Sequence, residues 1–189
     1  VILQLKAPPA SRALGYGPPD TVYLTITGVS SGLDIELVWE NKVPCFLPES
    51  SWFEFHPSLS GASEDTGEWK LLLDKMGKQN IDTADVVAKS GAVLHGIDPV
   101  NGGITFAKAR SSPEISFRVQ SLDSGLVSPG QVRNSWNFEA YDETPVTPYD
   151  GAAFNLHSNL YNTNYVVYYP WKEDDSTSRF RFFVEYTSM

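Results

Sequence analysis

Leu33-Asp34-Ile35-Glu36-Leu37-Val38-Trp39-Glu40 decides the fold. Apolar Leu33, Ile35, Leu37 and Trp39 alternate there with Asp34, Glu36, Val38 and Glu40. Successive side chains of a strand point to opposite faces, so a period of two with one polar side marks a half-buried antiparallel strand. Upstream, Thr21-Val22-Tyr23-Leu24-Thr25-Ile26-Thr27 is rich in β-branched and aromatic residues and follows the breaker cluster Gly15-Tyr16-Gly17-Pro18-Pro19-Asp20. It reads as a second strand, joined to the first through Ser30-Ser31-Gly32.

The same reading extends along the chain. Val1 to Lys6 looks like a strand already under way, so the sequence reads as part of a longer or cleaved protein. Ser51 to Pro57 is a strand ended by proline. Glu68 to Lys75 fits strand or helix on periodicity alone. Asp82 to Val87 suggests a short helix near residues 82–88, with a strand near Gly91 to Gly96. Ile104 to Ala109 and Glu114 to Gln120 read as two strands joined by a Ser-Ser-Pro turn. Asp98-Pro99-Val100-Asn101-Gly102-Gly103 reads as a hairpin turn. Phe154 to Tyr169 and Ser178 to Tyr186 complete the set, the last again with period two. Short strands at regular spacing, with no heptads or repeats, predict an all-β fold: an antiparallel β-sandwich with one short helix. Residues 1–189 read as a single domain, with 60–68 and 141–151 as excursions from it.

Composition agrees. Of 189 residues 41% are hydrophobic and 13% aromatic, enough for a packed core, and Gly 14 with Pro 13 implies many turns. Lys plus Arg number 14 against 23 Asp plus Glu, a net charge of −9, which a phosphate backbone would repel. Nucleic acid is therefore not an expected partner. No apolar run reaches the roughly 18 residues of a membrane span, so no membrane partner is expected either. Cys45 is the one cysteine and reads as a small buried hydrophobe. It does not fix a compartment, and the reading leans to a secreted or extracellular setting.

Little in the sequence carries chemistry. His56, His95 and His157 have no ligand spacing between them, and no metal site is expected. No nucleophile elbow or phosphate-cradling loop occurs, and no catalytic machinery is evident. Glu40, Glu49, Glu54 and Asp123 lie among apolar neighbours, where a carboxylate is more often structural than catalytic. The most unusual stretch is Phe154-Asn155-Leu156-His157-Ser158-Asn159-Leu160-Tyr161-Asn162-Thr163-Asn164-Tyr165. Amides both donate and accept hydrogen bonds, and aromatic faces stack on sugar rings, so this composition suits a carbohydrate-contacting loop. Asparagines that cap their own turns explain it equally well. The candidate carbohydrate site is Asn155, His157, Asn159, Tyr161 and Asn164, with Trp171 as a stacking platform. If 154–161 is extended, Asn155, His157, Asn159 and Tyr161 share one face, opposite Phe154, Leu156 and Leu160. His157 would then bond a hydroxyl and not act as a base.

Several motifs in order resemble the C-terminal region of glycosidase-like proteins related to glycoside hydrolase family 38, the α-mannosidase family. The similarity is to the fungal and bacterial proteins that carry domain of unknown function 5054. It lies in Asn41-Lys42-Val43-Pro44-Cys45-Phe46-Leu47-Pro48-Glu49-Ser50-Ser51-Trp52-Phe53-Glu54-Phe55, Lys75-Met76-Gly77, Ile81 to Val87, and Leu94-His95. It continues through Ser121 to Gly130, Phe154 to Asn164 and the terminal Arg179-Phe180-Arg181-Phe182. The resemblance implies a zinc-dependent catalytic barrel on the N-terminal side, outside these residues, with this chain as the β-sandwich packed on it. The expected partners are then that barrel, as a domain or chain of the same parent protein, and carbohydrate; no cofactor is expected in this chain. A free-standing lectin-like sandwich is the alternative. Packing on a barrel also predicts a contiguous apolar patch, for which Trp39, Trp52, Trp136 and Trp171 are candidates.

Overall fold

The computed structural model describes residues 1–14, 17–43, 49–59, 69–75, 78–83, 95–98, 102–108, 115–130, 147–159 and 176–188. Two antiparallel sheets face each other. The larger has eight strands: β1 (Ile2–Lys6), β2 (Thr21–Val29), β3 (Gly32–Glu40), β5 (Trp69–Lys75), β6 (Lys78–Asp82), β8 (Gly103–Lys108), β9 (Ile115–Ser121) and β12 (Ser178–Ser188). Their spatial order is β1-β2-β3-β12-β9-β8-β5-β6. The smaller sheet runs β4 (Glu49–Phe55), β11 (Ala152–Asn159), β10 (Leu126–Pro129) and the two-residue β7 (His95–Gly96). The expected sandwich is the observed one.

Period two explains which residues form the core. Ile35, Leu37 and Trp39 of β3 face inward, as do Phe180, Phe182 and Val184 of β12 and Ile104 and Phe106 of β8. Trp69, Leu71 and Leu73 of β5 continue that layer, so the segment left between strand and helix is a strand. From the smaller sheet come Phe53 and Phe55 of β4, Phe154 of β11 and Val127 of β10. Phe182 lies at the centre, with ring centroids of Phe53, Phe55 and Phe154 at 5.1, 5.6 and 5.2 Å. Full burial of each such side chain stabilises the fold by about 1.5–3 kcal/mol.

One connection differs from the sequence reading. In the stretch read as a hairpin turn the Gly102 N–H donates to the Asp98 carbonyl at 2.7 Å, and residues 99–101 lie outside the described ones. The strands on either side, β7 and β8, belong to different sheets and are not paired as a hairpin. The helix expected near 82–88 falls almost wholly outside the described residues, and Asp82 ends strand β6. The short helix that is described, α1, is Pro9–Ala13, with proline suited to its first turn. β6 and β10 were not legible as strands: Lys78-Gln79-Asn80-Ile81-Asp82 is too polar, and Leu126–Pro129 too short.

The larger sheet is wider than its partner. Leu3 and Leu5 of β1 pair with Leu24 and Val22 of β2, on the face that turns inward elsewhere. They remain 44% and 52% exposed, because the smaller sheet does not extend over them.

Candidate functional site

The site assembles where β4 and β11 pair. Phe154 lies opposite Phe53 and both face the core, so the next pair, Asn155 and Trp52, faces outward. Trp52 is half-buried, and its indole Nε1–H donates to Ser50 Oγ at 2.8 Å, which holds the ring along the sheet. Glu54, on the same face, is 2.9 Å from His56 Nε2. The Asn155 backbone is tied down separately: its carbonyl accepts from Ser124 Oγ at 2.6 Å. Its side-chain Nδ2 reaches only weakly, 3.4 Å to the His157 carbonyl. An aromatic ring, an amide, a hydroxyl and a carboxylate thus share one outward surface. Such a surface stacks on an apolar ring face and exchanges hydrogen bonds with hydroxyls.

The alternation expected through Asn155, His157 and Asn159 is interrupted. The pairing register shifts between Asn155 and His157, so that Asn155 faces Trp52 while His157 faces Ser51. A bulge adds one residue to a strand and reverses which side chains face inward beyond it. His157 therefore turns into the sandwich, where its side chain is 10% exposed and its ring meets that of Trp39 edge-on at 6.3 Å. It shares this interior with Glu49 and Lys42. Lys42 Nζ donates to Glu49 Oε1 at 2.7 Å and to the Gly17 carbonyl at 2.8 Å, and its side chain is only 3% exposed. His157 Nε2 lies 3.4 Å from the same carboxylate oxygen. Burial alone would raise the Glu49 pKa, but the His157 and Lys42 contacts outweigh it and hold it below the usual value.

Of the expected site residues, the fold separates Asn155, on the outer face, from His157, on the inner one. Asn159 closes β11 opposite Glu49. Tyr161, Asn164 and Trp171 lie outside the described residues. Trp136, proposed for an apolar patch, also lies outside them, and Trp39 is core at 4% exposure. Trp52 is the site residue the loop-centred reading overlooked. Its signal was present: Ser50, Trp52 and Glu54 alternate with the core residues Phe53 and Phe55. Of the other carboxylates singled out in the sequence, Glu54 meets His56 and Asp123 meets Arg181. Arg181 donates to it from Nε at 2.9 Å, from Nη2 at 2.8 Å and from its backbone N–H at 2.8 Å, so its pKa is lowered.

Among the described residues no group of three or more histidine, cysteine, aspartate and glutamate side chains is placed to hold a metal ion. No family model, curated protein or solved structure matches this chain.

Proposed function

We propose that this chain is an accessory β-sandwich domain of a mannosidase-like glycoside hydrolase, packed on a separate catalytic barrel and contacting carbohydrate. The observation that carries the carbohydrate part is the outward pair of Trp52 and Asn155, a stacking surface with an amide beside it on adjacent strands. Packing on another domain is supported by the overhang of β1 and β2, where Leu3 and Leu5 stay exposed on the inner side of the sheet. The glycosidase identity of that partner rests on the sequence resemblance, and zinc would belong to the barrel.

The test is affinity for mannose-containing oligosaccharides, with Trp52→Ala and Asn155→Ala beside the parent chain. The expected loss for Trp52→Ala is about tenfold, the value of one stacking contact, with Trp52→Phe retaining most of the binding. Binding that survives both alanine variants, in chains that still fold, refutes the assignment of this face. Whether a larger chain co-purifies separates the accessory reading from the lectin-like one, which would use the same face in a monomer.

A further inference from the structure

A cavity of about 480 Å³ lies at the far end of the sandwich from His157. Strand β3 spans that distance, from Leu33 in the cavity wall to Trp39, which meets the His157 ring. The cavity floor is the inner face of the larger sheet. Strand pairing sets Leu33, Val184 and Val119 side by side in one cross-strand row, and Tyr186 beside Phe117 in the next. Phe55, Pro57 and Leu59, at and beyond the end of β4, line it from the smaller sheet. Small-molecule sites commonly enclose about 300–1,000 Å³ behind mostly apolar walls with a few polar groups. This cavity matches in size and lining.

The second row continues a stack that starts in the core. Phe106, fully buried, lies almost parallel to Phe117, with ring centroids 4.6 Å apart and an interplanar angle of 8°. Phe117 is half-buried and meets the Tyr186 ring at 6.3 Å. Tyr186 itself stays 61% exposed at the cavity wall. An aromatic face left wet beside an apolar floor gains from a ring laid against it. Charge narrows the occupant further. Among the described residues that line the cavity none is acidic, and both basic ones are engaged already. His56 lies 2.9 Å from Glu54, and Lys108 has an interaction partner within the chain. These residues therefore leave no unbalanced charge to meet an ionic ligand, which would lose its hydration without a counter-charge. A sugar would set its hydroxyls against hydrocarbon.

We propose that this cavity binds an uncharged, planar aromatic molecule, with a ring laid along Phe117 and Tyr186. The site is independent of the Trp52–Asn155 face. Titration with the uncharged fluorescent probe N-phenylnaphthylamine tests it, beside anilinonaphthalene sulfonate, the same ring system bearing an acidic group. Saturable binding of one uncharged probe per chain is expected, about tenfold tighter than the sulfonate. Tyr186→Ala, at an exposed position, should weaken the uncharged probe about fivefold, and Tyr186→Phe should keep its affinity. Leu33→Trp, which places an indole in the cavity, should weaken it about tenfold while circular dichroism and the thermal midpoint hold. If Leu33→Trp does not fold, the two Tyr186 variants decide. The proposal is overturned by non-saturating fluorescence, by a sulfonate that binds as tightly as the uncharged probe, or by full affinity in Tyr186→Ala or in a folded Leu33→Trp chain.

Discussion

At Glu49 burial competes with the contacts from His157 and Lys42 over one carboxylate. The partners prevail, so the unfolded chain holds the Glu49 proton more tightly than the folded one. The stability that this group supplies is therefore complete above its ordinary value of 4.5 and is lost as pH falls through the lower folded value. Asp123, held down first by the Arg181 side chain, acts in the same direction from its ordinary value of 3.8. Urea midpoints measured from pH 7 down to pH 3 should fall on acidification, and the fall should be shallower in Glu49→Gln. Lys42→Met keeps the packing but strips the buried carboxylate of its closest partner. It should cost about 2–3 kcal/mol by urea unfolding, less than a fully buried pair because Glu49 keeps some solvent contact.

β3 was legible because each of its residues obeys one period, and the structure keeps that period from Leu33 to Trp39. β11 was only half legible. Phe154 faces the core as alternation demands, but the bulge past Asn155 reverses His157, and nothing in Asn155-Leu156-His157 announces it. A bulge is fixed by the register of the partner strand, which a local pattern does not contain. Trp52 was legible in principle, because the alternation of β4 is as regular as that of β3. The core end of β11 makes the next prediction. Phe154 is fully buried against Phe55 and Phe182, so Phe154→Ala should cost about 3–5 kcal/mol, read from the urea midpoint. Gly151→Ala, at a positive φ and against the Phe55 carbonyl, should cost about 1–3 kcal/mol in the same assay.

At the scale of the whole molecule, the chain passes repeatedly between the sheets, and β3 pairs with β12 across most of the sequence. Pairings of that kind require large loops to close before they are rewarded, so refolding should take milliseconds to seconds, about the range of other β-sandwiches. Sheet membership was the least legible property, since nothing in Asp98 to Gly103 tells that β7 and β8 belong to different sheets. The overhang makes a separate prediction. Leu3→Gln and Leu5→Gln should change the stability of this chain by less than about 0.5 kcal/mol, yet weaken its binding to the proposed catalytic barrel. The central claim is that the outward face of β4 and β11 contacts carbohydrate. Amide and indole chemical-shift mapping during titration with a mannose oligosaccharide tests it most directly. Saturable shifts are expected at the Trp52 indole N–H, the Asn155 side-chain amide and the Ser50 amide, while the Tyr186 amide of β12 stays still. Shifts confined to other surfaces, or none at saturating sugar, would contradict it.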